Sequence, residues 1–209
     1  MQTGTTTPVT SAVQLNGTSV NGSGVSTSGN VTLTTTVLSG SAGDNGTGVT
    51  LGGNLTVGDA LSGVNATAAN GTALALNNVS LNATSHGNPL ILNPLMTGDS
   101  GTAIQVTGDT SLINVGLNGS SANGSGVVID GNLTTDQSVT GNTNNGTALT
   151  VAGNLVSSGG QPVTGTASGS GTGVSVTGSV GDNHLAGTSA TGTGAQLGSG
   201  ASVGATGTV

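Results

Sequence analysis

Aliphatic residues alternate with small polar residues in short runs along most of the chain, and these runs return at a regular interval. The segment NGTGVTLGGNLTV (45–57) is followed by four related segments: NGTALALNNVSL (70–81), SGTAIQVTGDTSL (100–112), NGSGVVIDGNLTT (123–135) and NGTALTVAGNLV (145–156). An apolar residue at every second position is the period of a β-strand, whereas a helix requires a period of about 3.6. The pattern therefore predicts short β-strands along the chain.

The copies align on the motif Gly-[Thr/Ser]-[Gly/Ala]-aliphatic, whose first residue is called the anchor glycine below. The anchor glycines are Gly22, Gly46, Gly71, Gly101, Gly124, Gly146, Gly171 and Gly192. They lie 21 to 30 residues apart. A period of this size is typical of solenoids, in which each unit buries its apolar face against the next. The unequal spacing indicates that structure holds the units in register while their loops vary in length.

Each unit contains three strand-like runs. The first places aliphatic residues at the third and fifth positions after the anchor glycine, as in Val49 and Leu51. The second is a further alternating pair, such as Leu55 and Val57 or Val79 and Leu81. The third has the form aliphatic-x-Gly, and it occurs at 15–17, 117–119, 139–141, 163–165 and 185–187.

Three strands and three corners per unit predict one coil of a parallel β-helix. The chain is therefore expected to be an all-β solenoid of about eight coils. The alternative is an antiparallel sheet in which Asn-Gly marks hairpin turns. The parallel form is favoured because equivalent turns recur once per full period.

Asparagine occupies two corner positions of the repeat, one just before the anchor glycine and one eight residues after it. Asparagine tolerates left-handed backbone angles and can hydrogen-bond its own turn. With coils stacked ~4.8 Å apart, equivalent amides can also bond along the axis. The predicted corner ladder consists of Asn21, Asn45, Asn70, Asn123, Asn145, Asn30, Asn54, Asn132 and Asn154.

Composition narrows the possible functions. The chain has 209 residues with 41 Gly, no Cys, no aromatic residue, no Lys or Arg, and a formal net charge of -7. Without basic residues it cannot neutralise phosphates, so neither nucleic-acid binding nor attraction to anionic lipid is expected. No apolar run approaches the ~20 residues of a membrane helix, so no membrane insertion is expected. The Gly-Ser-Thr-Asn bias leaves a disordered low-complexity segment as an alternative, although 32% hydrophobic residues argue against it.

No enzymatic activity, metal site or cofactor is expected from the titratable residues. Glycoside cleavage needs paired carboxylates, and the candidate pairs, Asp44 with Asp99 and Asp109 with Asp130, fit turn positions better. Isolated Asp residues cannot supply the six or more oxygen ligands that Ca²⁺ takes. The two histidines lie far apart in the sequence and are expected at solvent-facing positions.

The unit between Gly71 and Gly101 is the longest and contains HGNPLILNPLM (86–96), which is predicted to be a loop insertion. It could protrude and present an apolar contact surface, or Leu90–Leu92 could pack against the side of the helix. The candidate contact residues are His86, Pro89, Leu90, Ile91, Leu92, Pro94 and Met96.

Imperfect GTGVxLxGNLT coils that are each followed by a VxG strand resemble the passenger regions of large Gram-negative surface adhesins. These include autotransporters and the filamentous-haemagglutinin-like exoproteins of two-partner secretion. The resemblance implies a right-handed parallel β-helix that is secreted, displayed on the cell surface and active in adhesion, aggregation or biofilm. Its implied partners are host-cell surfaces, extracellular glycans or proteins, or other copies of itself.

The start MQTGTTTPVT lacks the basic and apolar regions of a signal peptide. The chain is therefore expected to be an interior piece of a longer protein. Residues 1–21 would be the end of a preceding coil, and residues 22–209 one solenoid domain. The alternatives for its function are a purely structural spacer and a tailspike-like carbohydrate-binding β-helix without catalysis.

Overall fold

The computed structural model describes residues 13–158, 160–181 and 184–204, and it is built almost entirely of short β-strands. In chain order these are β1 (Val13–Ser19), β2 (Ser23–Thr27), β3 (Asn30–Leu33), β4 (Thr36–Ala42), β5 (Thr47–Val57), β6 (Gly63–Ala68), β7 (Thr72–Asn82), β8 (Leu90–Leu92), β9 (Leu95–Met96), β10 (Thr102–Thr107), β11 (Asp109–Ile113) and β12 (Val115–Ser121). They continue with β13 (Ser125–Ile129), β14 (Asn132–Thr135), β15 (Val139–Thr143), β16 (Thr147–Val151), β17 (Asn154–Ser157), β18 (Val163–Ala167), β19 (Thr172–Val176), β20 (Ser179–Gly181), β21 (Leu185–Ser189), β22 (Thr193–Leu197) and β23 (Ser202–Val203). A single 3-10 turn, Thr84–His86, interrupts them within the described residues.

The strands stack into three faces that the chain visits in turn. The first face follows the anchor glycines and contains β2, β10, β13, β16, β19, β22 and the first halves of β5 and β7. The second face contains β3, β11, β14, β17, β20, β23 and the second halves of β5 and β7. The third face contains β1, β4, β6, β8, β9, β12, β15, β18 and β21. Because β5 and β7 run through the corner between the first two faces, these faces form one continuous sheet.

Neighbouring strands on every face are parallel and joined coil to coil. On the first face, Leu149 pairs with Val127 of the preceding coil and with Val174 of the following one. On the third face, Val139 pairs with Leu117 and Val163. The prediction of an all-β solenoid of about eight coils, with three short strands per coil, is confirmed.

The inward side chains form one continuous aliphatic core along the axis. The alternating pairs predicted for the first strand of each coil are buried there; Leu51, Leu76, Ile129 and Leu149, for example, have no exposed surface. Burying each such side chain stabilises the fold by ~1.5–3 kcal/mol relative to leaving it exposed. With no aromatic residue in the chain, the solenoid is stabilised by these aliphatic columns together with the backbone ladders.

Glycines allow the backbones to approach closely at the corner where the third face meets the first. A Cβ atom on Gly119 of the third face would overlap the carbonyl group of Gly126, which lies on the first face just after the next anchor glycine. A Cβ on the anchor glycine Gly124 would overlap the backbone of Gly101, the anchor glycine of the coil before it. A Cβ atom is therefore excluded at these glycine positions, where the third face meets the first.

The unit that begins at Gly71 displaces the register of the second face by one residue. Leu55, nine residues after the anchor glycine Gly46, pairs with Leu81, which lies ten residues after the anchor glycine Gly71. The register shift falls between Gly52 and Gly53, opposite Asn77 and Val79. Asn78, left out of the pairing, has a φ of 50° at a corner where other coils place glycine. Asparagine takes this left-handed conformation at little cost.

The structure divides the segment 86–96, predicted to be a loop insertion, into two parts. Residues 87–89, which follow the 3-10 turn, are exposed and belong to no strand. Leu90–Leu92 is instead a strand of the third face, paired in parallel with Val115–Leu117. Leu90 and Leu92 point into the aliphatic core. They thus belong to the coil and are neither on a protruding loop nor against the outside of the helix.

The predicted ends of the domain lie partly outside the described residues. Residues 1–12 and 205–209 are not among them. The rest of the segment 1–21, predicted to end a preceding coil, contributes β1, a strand of the third face that comes before the first anchor glycine.

Candidate binding surface

A ladder of polar side chains follows the corner between the first and second faces. Asn54 Nδ2 donates to Asn30 Oδ1 at 2.8 Å. Further along the axis, Asn132 Nδ2 donates to Asp109 Oδ1 at 2.7 Å, and Asn154 Nδ2 donates to Asn132 Oδ1 at 2.7 Å. Four of the predicted corner asparagines are thus joined in two runs along this corner.

The two runs are separated by the irregular unit. Asn78 donates to its neighbour Asn77 at 3.0 Å, and its Oδ1 accepts the backbone N–H of Asp109 at 3.0 Å. Asn78 stands seven residues after its anchor glycine, where most other coils have glycine, and its amide oxygen bonds the backbone of the next coil and not an equivalent side chain there.

The corner before the anchor glycines carries a second ladder. Asn145 Nδ2 donates to Asn123 Oδ1 at 2.8 Å, and Asn145 Oδ1 accepts from the backbone N–H of Ser170 at 3.3 Å. Asn70 donates to Asp44 Oδ1 at 3.0 Å, so the neighbour of Asn45 takes the place expected for Asn45. Asn21 and Asn45 are exposed at this corner.

Hydroxyl groups three residues before several anchor glycines stabilise the same corner from inside, and the sequence interpretation missed them. The Oγ1 of Thr143 accepts the N–H of the anchor glycine Gly146 at 3.1 Å and donates to the carbonyl of Gly124 at 3.1 Å. Ser189 makes the equivalent bonds to Gly192 and Gly171, at 2.9 and 2.7 Å. The signal available in the sequence was a Ser or Thr three residues before Gly.

Two aspartates at the corner between the second and third faces were also missed. Asp59 Oδ2 accepts the N–H of Thr35, one coil earlier, at 2.6 Å, and Asp136 accepts the N–H of Asn114 at 2.8 Å. Thr35 and Asn114 both have positive φ, at 52° and 57°. Desolvation acts to raise the pKa of Asp59, but hydrogen bonds from Thr35, Ser62 and the N–H of Leu61 outweigh it, so the pKa lies below its ordinary value.

The outer surface of the third face carries a column with one side chain per coil, called the outer column below. In axial order it consists of Thr18, Ser41, Thr67, Leu95, Ser120, Asn142, Thr166 and Thr188. Seven of these eight side chains are hydroxyls or amides, and hydrogen bonds such as the one from Thr188 to Thr166 at 3.3 Å run along the column. Leu95 is the exception, and 60% of its surface is exposed.

A groove of about 440 Å³ begins at Leu95 and extends over the next three coils. The outer-column residues Ser120, Asn142 and Thr166 line it, and the loops before the anchor glycines form another side. Pro94 lines it as well, at a position of the third face where most other coils have glycine. Proline has no N–H to donate, so the strand ladder is interrupted between β8 and β9.

Several polar groups in the groove retain hydrogen-bonding capacity. Asn142 donates to Asn118 at 3.2 Å, and its Oδ1, which has no partner among the described residues, can accept. Asn144 Oδ1 accepts from Ser168 at 2.6 Å, and its Nδ2 can donate, since no described residue accepts from it. The Ser120 hydroxyl has no partner among the described residues, and Thr166, an acceptor from Thr188, can still donate its own proton.

The structure separates the candidate contact residues of the segment 86–96. Leu90, Leu92 and Pro94 are buried. His86 lies in the 3-10 turn, where its Nδ1 lies 2.9 Å from the carbonyl of Asn88, and Pro89 is exposed beside it. Ile91 is 47% exposed on the third face. Of the predicted set, only Pro94 and Met96 line the groove; Leu95, which lies between them, was not in that set.

The aspartates considered for catalysis take part in corner and side-chain bonds. Asp109 accepts from Asn132, and Asp130 accepts from Gln105 Nε2 at 2.6 Å. Asp44 accepts from Asn70. Within the described ranges, no group of three or more His, Cys, Asp or Glu side chains is placed to hold a metal ion.

No helix in the part of the chain that the structure describes is both long and apolar enough to cross a membrane. Comparison with protein-family models, with curated proteins and with solved structures found no match to this chain. The solenoid fold and the outer column with its groove are therefore the basis for a functional proposal.

Proposed function

We propose that this chain is a rod segment of a secreted bacterial surface adhesin, of the autotransporter or filamentous-haemagglutinin-like kind. It would act as a stalk and make many weak contacts with glycans or proteins outside the cell, or with other copies of itself. The repeat motif resembles the passenger regions of such adhesins, and this resemblance supports the proposal of secretion and surface display.

The observation that carries the proposal is the regular repetition of uncharged polar side chains along the rod. The repeat motif itself has Ser or Thr directly after the anchor glycine, and the structure brings these residues into parallel register, as in the pairing of Thr47 with Thr72. Eight coils at ~4.8 Å per coil give a rod of roughly 40 Å. Contacts that are individually weak add up to useful avidity when they repeat along a rigid support.

The test is adhesion of beads that carry the chain at graded surface densities. Beads are applied to mammalian cell layers, to immobilised neutral and anionic polysaccharides, and to beads bearing the same chain. Multivalent weak contacts predict retention that rises steeply with surface density and exceeds that of albumin-coated beads on at least one of these surfaces.

The main competing function is that of a purely structural spacer. A spacer predicts retention equal to that of albumin on all surfaces and at all densities. This result would contradict the adhesive function while leaving the fold unaffected.

A further inference from the structure

We infer that the groove beside Leu95 is a binding site for an uncharged oligosaccharide. This inference deepens the proposed function, on which it rests, by assigning contact with glycans to one place on the rod. The groove's volume of about 440 Å³ lies within the range of ~300–1,000 Å³ typical of small-ligand sites.

The chemistry of the groove matches a neutral sugar. A sugar presents hydroxyls that both donate and accept hydrogen bonds, together with apolar C–H patches. The groove offers an acceptor at Asn142 Oδ1, a donor at Asn144 Nδ2 and hydroxyls at Ser120 and Thr166. Leu95, 60% exposed at one end, supplies an apolar surface for the C–H groups.

Charge argues against an acidic or basic ligand. None of the residues that line the groove is Asp or His. The chain contains no Lys or Arg to pair with a uronate or sulfate group, and its net charge of -7 repels such ligands. A cationic ligand would find no carboxylate in the groove. A neutral ligand needs no ion pair, so a groove without charged side chains suits it.

The site also has a geometric cause. The outer column is polar in the other coils, and Leu95 interrupts it in the same coil in which Pro94 interrupts the strand ladder. Successive coils place Ser120, Asn142 and Thr166 beyond Leu95 at intervals of ~4.8 Å, a spacing comparable to the width of one sugar ring. A linear glycan lying along the rod axis would therefore meet one polar side chain per ring.

The experiment is a titration of the ¹⁵N-labelled chain with neutral hexasaccharides of glucose and mannose, followed by NMR. We expect the amide resonances of Leu95, Ser120, Asn142 and Thr166 to shift with at least one of these sugars at concentrations up to about 10 mM. An oligogalacturonate of equal length should leave them in place. Absence of shifts with every neutral sugar, or equal shifts with the anionic one, would overturn the assignment.

Leu95→Ser restores the polar character of the outer column and is expected to weaken binding by about five-fold or more through loss of apolar contact. Leu61→Ser is the matched control, because Leu61 is 41% exposed and lies outside the groove. Equal affinity of the two variants would contradict the role of Leu95. Bead adhesion by a chain whose groove resonances do not shift with any sugar would count against this site alone. Sugar binding in the groove without bead adhesion would count against the proposed function alone.

Discussion

The coils between Gly124 and Gly181 and the unit between Gly71 and Gly101 are built from the same motif but differ in how they use it. In the former, each inward aliphatic residue pairs with its equivalent in the next coil, as Leu133 does with Leu155. In the latter, the second face is displaced by one residue and the third face is split into two short strands around Pro94. The solenoid accommodates an irregular unit because each coil contacts only its neighbours.

The difference shows where a repeat can acquire a specific surface. The regular coils close their corners with amide ladders and present uniform polar columns. The irregular unit interrupts the amide ladder at Asn78, the strand ladder at Pro94 and the outer column at Leu95. The groove begins at these last two residues, so the binding site that we propose lies at the irregular unit.

The largest expected effect comes from placing a charge in the regular core. Leu149→Asp buries a carboxylate where no surface is exposed, and it should cost ~5 kcal/mol or more, enough to prevent cooperative folding. Thr150→Asp, on the outward side of the same strand, is the matched control and should melt close to the parent chain. Thermal melts monitored by far-UV circular dichroism measure the difference. A Leu149→Asp variant that melts like the parent would show that the inward side of the coil is misassigned.

The next largest effect concerns the stacked anchor glycines. Gly124→Ala places a methyl group against the backbone of Gly101, so one coil must shift, at a cost of ~1–3 kcal/mol. Gly63→Ala is the control, because a Cβ there would meet no atom of the described residues within 4 Å. Urea unfolding of both variants would measure the difference, and equal midpoints would contradict close stacking of the anchor glycines.

A smaller effect is expected from the amide ladder. Asn132→Ala removes one bond to Asp109 and one from Asn154, and should lower the free energy of unfolding by ~1 kcal/mol. Asn65→Ala is the matched control, because Asn65 is also exposed and its side chain makes no hydrogen bond within the described residues. If both variants lose the same stability, the ladder contributes nothing specific.

The smallest effect is a dependence on pH at the corner of Asp59. The pKa of Asp59 is lowered in the folded chain. The ionised carboxylate therefore stabilises the fold above the ordinary pKa of ~3.9, and this stabilisation is lost as the pH falls through the pKa of the folded state. Melting temperatures between about pH 6 and pH 2 should therefore fall more steeply for the parent chain than for Asp59→Asn. Parallel curves would argue against the bonds from Thr35 and Ser62.

Sequence periodicity predicted the regular part of the fold well. Pairs such as Val49 and Leu51 were placed inward by the alternation alone, because a strand turns every second side chain to the same side. The third-face motif aliphatic-x-Gly likewise located the strands at 139–141 and 163–165. These features depend only on residues close together in the sequence.

The irregular unit could not be predicted in the same way. Leu92-Asn93-Pro94 occupies the place of an aliphatic-x-Gly motif, but proline hides the match, so Leu90–Leu92 was not recognised as a strand. The outer column and the role of Asp59 depend on which residues of different coils become neighbours. Asp59 acts on the backbone of Thr35, and this contact exists only once the coils have stacked.

Parallel stacking in register is the central claim, and disulfide trapping tests it most directly because the natural chain has no cysteine. Thr150 and Ser175 are paired across neighbouring coils and face outward, so a double cysteine variant at these positions should form an intramolecular disulfide readily. A pair at Thr150 and Thr172 is the control, since Thr172 lies three residues, or about 10 Å, before Ser175 in the same strand. Rapid oxidation of the first pair alone would support the account. Failure of the first pair, or equal oxidation of both, would contradict it.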